Sequence, residues 1–249
     1  MRVGVIGRTR PLLLAAEAVR EEGHELTFVY TCRAEPHYDC EPEEFETLAK
    51  QSEVPYFCDH RIEDRSELLN STNTDICISI NWISLLSRNI ISIFPFEILN
   101  GHPGDLPKYR GTACVNWAII HGEPDIAMTI HLMEPEVDSG PILLKKHFEL
   151  SQDTYIGDFI IWHQGVVPEM FCEALQGLAS GSLVPAPQES NNPILRSFPR
   201  RPTDSKIRWE QSCLEVHRLI RASSRPFNGS LALAEDGRTN GEDLPGCDH

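Results

Sequence analysis

The sequence has little positive charge: 22 Lys and Arg stand against 37 Asp and Glu, for a formal net charge of −15. Affinity built on neutralising many phosphates needs a net basic face, so general nucleic-acid binding is not expected, although one local basic patch is still allowed. CxxC pairs and His/Cys clusters are missing, and the 8 cysteines are scattered, so no zinc site is expected. Several cysteines, Cys77 among them, lie in apolar runs that suit a buried, reduced thiol and hence the cytoplasm. Hydrophobic runs of membrane-spanning or signal-peptide length are absent, as are internal repeats. The run Gly4-Val5-Ile6-Gly7 lacks the third glycine of a GxGxxG fingerprint, which argues against a nicotinamide cofactor.

What is present is the composition of an ordinary folded chain of 249 residues, 41% hydrophobic and 24% charged. From Met1 to about Leu150, short β-rich apolar runs alternate with amphipathic stretches of helical length. That pattern predicts an α/β fold: a doubly wound, Rossmann-like, mainly parallel sheet with a small C-terminal extension. Strands are expected near Val3–Ile6, Glu25–Thr31, Val54–Phe57, Ile76–Ile80, Ile98–His102, Ala127–Leu132 and Ile142–Phe148. Helices are expected near Pro11–Glu22, Glu43–Gln51, Ser66–Leu69, Thr112–His121, Thr154–Leu178 and Trp209–Ala222.

After Ser180 the texture turns Pro-rich and polar, through Val184-Pro185-Ala186-Pro187 and Asn191-Asn192-Pro193. Residues 1–182 are therefore read as the main domain and 183–249 as a linker and small extension, the last residues, 235–249, being tail. The stretch Arg196–Arg225 holds 8 basic and 3 acidic residues. It is either a local anion site or a solvated basic face.

The chemistry concentrates at Asn100-Gly101-His102-Pro103, where an apolar strand runs out, and at Asp138-Ser139-Gly140-Pro141. In α/β sheets the ligand crevice lies at the carboxyl ends of strands. Residues two apart on a strand face the same side, so the Asn100 amide and His102 imidazole address one centre. An amide donor, an imidazole and a carboxylate are what acyl transfer to an amine requires: a donor for the developing oxyanion, a titratable group near neutrality, and a group to orient it. Read from the residues alone, Asn100 and His102 could equally be polar groups that stabilise a loop. Asp105 is either a second carboxylate or, more plainly, a turn residue.

Asn100-x-His102-Pro103, then Leu106-Pro107-x-Tyr109-Arg110-Gly111, Thr129-Ile130-His131 and Asp138-Ser139-Gly140-Pro141-Ile142, resemble the 10-formyltetrahydrofolate-dependent formyltransferases. The likeness runs from about Phe28 to Leu150, with an echo from Phe198 to Gly229. It implies a catalytic triad of Asn100, His102 and Asp138, the domain 1–182 as catalytic, and 10-formyltetrahydrofolate as donor, with no metal. It also implies a pterin held largely by main-chain groups of Trp82, Ile83, Leu85 and Leu86 and of Val137 and Asp138.

Three acceptors belong to such families: methionyl-tRNA, glycinamide ribonucleotide and nucleotide-linked amino sugars. The tRNA-specific members carry a basic insertion where this chain runs Cys32 to Glu46, an acidic stretch. The short extension also resembles the amino-sugar enzymes. The resemblance therefore points to a nucleotide-linked 4-amino-4-deoxy sugar of the kind used in O-antigen synthesis. Tyr109, Arg110, Trp117, Arg200 and Arg201 are its candidate contacts, with plain packing or solvation as their alternative. A cytoplasmic homodimer without nucleic-acid or membrane partners completes the expectation, against a catalytically silent folate or nucleotide-sugar binder.

Overall fold

The computed structural model describes residues 1–35, 38–189 and 195–230. The Asn191-Asn192-Pro193 part of the expected linker and the 235–249 tail lie outside them. Five strands, β1 (Arg2–Gly7), β2 (Glu25–Thr31), β3 (Tyr56–Cys58), β4 (Ile76–Ile80) and β5 (Ile98–His102), run parallel in the spatial order β3-β2-β1-β4-β5. Strands β1, β2, β4 and β5 are nearly continuous apolar runs because helices cover both faces of the sheet.

The connecting helices are α1 (Arg10–Glu21), α2 (Pro42–Gln51), α3 (Ser66–Ser71) and α4 (Arg88–Ile91). After β5 come the two-residue β6 (Arg110–Gly111), α5 (Cys114–His121), β7 (Asp125–Leu132), β8 (Ile142–Glu149) and the long α6 (Ile156–Ser180). A two-residue β9 (Arg196–Ser197) and α7 (Cys213–Ser223) follow. On one face of the sheet Val3, Val5 and Ile78 pack with Leu12, Val167, Met170 and Phe171 of α1 and α6. On the other, Ile6, Phe28, Tyr30 and Cys77 pack with Ile90, Ile91 and Phe94. A third cluster joins Val115, Ala118 and Ile119 of α5 to Phe159 and to Ala222 of α7. No helix among the described residues is long and apolar enough to cross a membrane.

Several boundaries differ from expectation for identifiable reasons. Strands β7 and β8 complete the seven-stranded sheet as an antiparallel hairpin beside β5, since the short 133–141 loop brings the chain straight back. Helix α5 begins at Cys114 rather than Thr112, because Ala113 takes a left-handed conformation at φ 55°. Helix α7 begins at Cys213 rather than Trp209: Ser212 caps it, accepting from the Glu215 N–H, while the Glu215 carboxylate accepts from the Ser212 N–H. Trp209 itself stands exposed.

The segment after α6 runs back over the main domain. Ala186 exchanges both backbone hydrogen bonds with Ile142, at 2.8 Å each, and β9 pairs in parallel with β6. Gly111 is essential to that pairing, for at φ 103° a Cβ there would lie 2.2 Å from the Ser197 carbonyl oxygen.

Phe171 is fully buried between α6 and the sheet. Phe171→Ala should cost about 3–5 kcal/mol in urea unfolding, as expected for a large core aromatic. A loss below about 1 kcal/mol would mean that this part of the core collapses around the cavity.

Candidate active site

At the end of β5, the register with antiparallel β7 sets Asn100 opposite His131 and His102 opposite Thr129. The loop between β7 and β8 then returns Asp138 to the same end of the sheet. Asp138 sits in the left-handed region at φ 48°, a conformation that aims its carboxylate inward. The three groups expected to share one site thus come together: Asp138 Oδ2 lies 3.4 Å from His102 Nδ1, and Asn100 is two positions before His102 on the strand.

Hydrogen bonding settles the state of His102. Its Nε2–H donates to the Tyr109 carbonyl at 2.7 Å, a group that can only accept. Because Nδ1 faces a carboxylate, the pair is satisfied when Nδ1 is protonated as well. Burial opposes that charge, but Asp138, the Cys114 sulfur at 3.6 Å and the Tyr109 carbonyl outweigh it and raise the His102 pKa to about 9. Burial likewise pushes the Asp138 carboxyl upward. His102, His131 and the Gly111 N–H, which donates to Oδ2 at 2.8 Å, more than reverse this and hold it well below the usual carboxylate range. Gly104 makes the arrangement sterically feasible, since a Cβ there would lie 2.4 Å from both His102 Nε2 and the Tyr109 oxygen.

His131 carries a role that the residues alone did not disclose. Its Nδ1–H donates to the Leu132 carbonyl at 2.7 Å. Its Nε2 lies 3.0 Å from Asn100 Nδ2 and 3.6 Å from Asp138 Oδ1, so the ring stands between the amide and the carboxylate. Asp105 is not a second carboxylate of this group: it pairs with Lys145 at 2.8 Å.

The candidate acceptor residues are placed differently from expectation. Tyr109 is buried, with its hydroxyl donating to Glu123 at 2.9 Å, so it offers the site its carbonyl rather than its ring. Trp117 donates to the Phe198 carbonyl at 2.8 Å and stacks on His121. Arg110 is buried with Nε and Nη2 on the side-chain oxygen of Gln188, at 3.1 and 2.6 Å. Arg200 donates to the carbonyls of Ala222 and Asp204 and to the hydroxyls of Ser205 and Ser223, an internal network. Arg201 is exposed.

The Trp82–Leu86 loop lies beside the loop that carries Val137 and Asp138. Trp82 and Met133 pack on one cluster, and Arg88 pairs with Glu134 across the two loops. Leu86 is buried, Val137 half-buried, and Ile83 and Leu85 are exposed to 47% and 62%. Trp82 Nε1 is buried without a hydrogen-bond partner. The exposed Ile83 and Leu85 side chains offer an apolar surface on which a flat ring can lie. No group of three or more metal-ligating side chains occurs among the described residues.

Residues 13–159 match the profile of the formyl transferase family. The chain is 29% identical over 178 residues to the methionyl-tRNA formyltransferase of Clostridium botulinum, covering 70% of this chain and 56% of that enzyme. To the methionyl-tRNA formyltransferase of Solibacter usitatus it is 26% identical over 235 residues, covering 92% of this chain and 75% of the relative. Among solved structures it superposes on a 4-N formyltransferase from Francisella tularensis with a TM-score of 0.76 at 19% identity, over 96% of this chain and 94% of the other. An N-formyltransferase from Helicobacter canadensis, solved with folinic acid and dTDP-3-aminofucose, superposes with a TM-score of 0.71 at 15% identity, over 88% and 79% of the two chains. At these identities the structural likeness speaks for the fold.

Two outcomes follow from the geometry. Asp138→Asn should lower the His102 pKa from about 9, because it removes the facing negative charge while burial continues to oppose protonation; histidine NMR titration reads this directly. Arg200→Ala should destabilise the fold by about 1–3 kcal/mol through the acceptors it strands, whereas Arg201→Ala should leave thermal unfolding unchanged.

Proposed function

Because the chain belongs to the formyl transferase family, we propose that it transfers the formyl group of 10-formyltetrahydrofolate to the amine of a nucleotide-linked 4-amino-4-deoxy sugar. The observation that carries this reading is the buried Asp138–His102 ion pair beside the Asn100 amide, with His131 in contact with both the amide and the carboxylate. When bound, the folate supplies an activated formyl carbon. Asn100 keeps one N–H for the formyl oxygen as it gains charge. Protonated His102 adds a positive field from within a low-dielectric wall, where it acts more strongly than in water. Asp138 keeps that imidazole charged and oriented. As the amine nitrogen bonds to the formyl carbon and the folate nitrogen's bond to that carbon breaks, the proton lost by the amine passes by way of Asp138 and water to the leaving folate nitrogen. The Trp82–Leu86 loop, with exposed Ile83 and Leu85, is the proposed pterin platform.

The acceptor is read from charge. Strand β2 is followed by a segment carrying Glu35, Asp39, Glu41, Glu43, Glu44 and Glu46, a poor surface for a phosphate-rich acceptor stem. A solved relative named as a sugar N-formyltransferase and one holding dTDP-3-aminofucose match 96% and 88% of the chain, which supports the same choice. Methionyl-tRNA is the second reading, favoured by the names of the sequence relatives.

Release of tetrahydrofolate, followed with nucleotide-linked amino sugars, glycinamide ribonucleotide and methionyl-tRNA in parallel, tests this reading. Turnover with an amino sugar supports it, and turnover with methionyl-tRNA alone replaces the acceptor. The rate should rise from acid pH as the amine loses its proton, then fall as pH passes about 9 and His102 loses its own. A rate still climbing well above that point would remove charged His102 from the mechanism.

A further inference from the structure

Gln188 lies between α6 and β9, on neither of the loops that carry the reacting groups. Its side-chain N–H groups donate to the carbonyls of Asp138 and Gly140, both at 2.8 Å. Its side-chain oxygen accepts from Arg110 Nε and Nη2. Both amide hydrogens and both lone pairs are therefore engaged. Gln188 is itself held in place, since Ala186 is bonded twice to Ile142 at the start of β8, and Pro187 between them has a fixed φ.

These contacts close a ring. From the Asp138 carbonyl the ring passes through Gln188 to the Arg110 side chain, along the backbone to Gly111, and back through the Gly111 N–H to the Asp138 carboxylate. The Arg110 and Gly111 backbone is fixed in turn by β9, with the Arg110 N–H donating to the Leu195 carbonyl at 3.0 Å. Asp138 occupies a left-handed backbone conformation, uncommon for a residue other than glycine, and contacts from outside its own loop help to hold it there. Arg110 cannot do so alone: its Nη1 is 4.0 Å from Glu136, which Arg196 engages at 2.5 Å.

We infer that Gln188 is a positioning residue for the transfer reaction, fixing through the Asp138 and Gly140 carbonyls the backbone that aims the Asp138 carboxylate at His102. The inference rests on the reading of the site given above. It makes the segment after α6 part of the catalytic apparatus without its touching a substrate. The groups facing His102 are Asp138 from the β7–β8 loop, Cys114 from α5, His131 from β7 and the Tyr109 carbonyl. Of these, only Asp138 is held by Gln188.

Two variants separate positioning from plain support. Gln188→Glu keeps an acceptor for Arg110 and loses the two donors; Gln188→Met, of similar length, loses both. Each should lower kcat by about 10- to 100-fold with the KM of both substrates little changed, the signature of a misplaced reacting group. In ligand-free Gln188→Met, NMR titration should place His102 below its parent value of about 9. A Gln188→Glu variant with parent kcat would mean that the residue only supports Arg110 and would overturn the inference, as would an unmoved His102 titration in Gln188→Met. If the parent protein transfers formyl to no acceptor, the proposed function fails, and the His102 titration still decides the role of Gln188.

Discussion

The structure turns on one buried ion pair. His102 and Asp138 are withdrawn from water, with side chains 5% and 13% exposed, and neither charge is tolerable there without the other. Removing two ions from water costs several kcal/mol each, and attraction at 3.4 Å offsets this only if their remaining hydrogen-bonding capacity is met. The Tyr109 carbonyl takes one imidazole N–H, and the Gly111 amide supports the carboxylate. Both come from the single loop between β5 and α5, so the path of that loop follows from the needs of the pair. The stability contribution has a definite sign. A histidine whose pKa rises from 6.5 in the open chain to about 9 when folded stabilises the fold fully below 6.5, and that contribution fades as pH climbs through 9.

Strained backbone is the means by which the pair is assembled. Tyr109 and Asp138 both have positive φ, at 62° and 48°, on two loops that meet beside β5. Neither loop is locally stable in that form, and the β6–β9 pairing with the Gln188 contacts supplies the restraint from a segment far along the sequence. The main domain and the segment behind α6 are thus coupled at the point where the reacting groups stand.

The sheet was legible because its central strands are buried on both faces: Glu25–Thr31, Ile76–Ile80 and Ile98–His102 were read with their observed ends. Asn100 and His102 were legible for a related reason, two polar groups on one face where an apolar strand stops. Asp138 could not be joined to them by any local period: the sequence offered a carboxylate in a downstream loop, and only the family resemblance placed it in the triad. What each arginine meets was not legible, because the fate of a guanidinium depends on acceptors elsewhere in the chain. Arg200 finds Ala222 and Ser223, Arg221 finds the carbonyls of Ser151 and Thr154, and Arg110 finds Gln188. Two-residue strands such as β6 and β9 have no periodicity to read at all.

The same accounting changes what the basic stretch means. Read as a string, Arg196–Arg225 is either a local anion site or a solvated basic face. In the fold, Arg196 is paired with Glu136, while Arg200 and Arg221 are drawn inward as hydrogen-bond donors to main-chain oxygens. Arg201, Lys206, Arg208 and Arg225 remain exposed, too few to overcome the field of a chain at −15. A polyanion that makes most of its contacts through phosphates would meet net repulsion over this molecule. An acceptor whose charge is confined to one short diphosphate, and whose amine is presented to a buried His102–Asp138 pair, does not need a basic surface. The proposed choice of a small acceptor over a nucleic acid therefore rests on charge distribution more than on any single arginine.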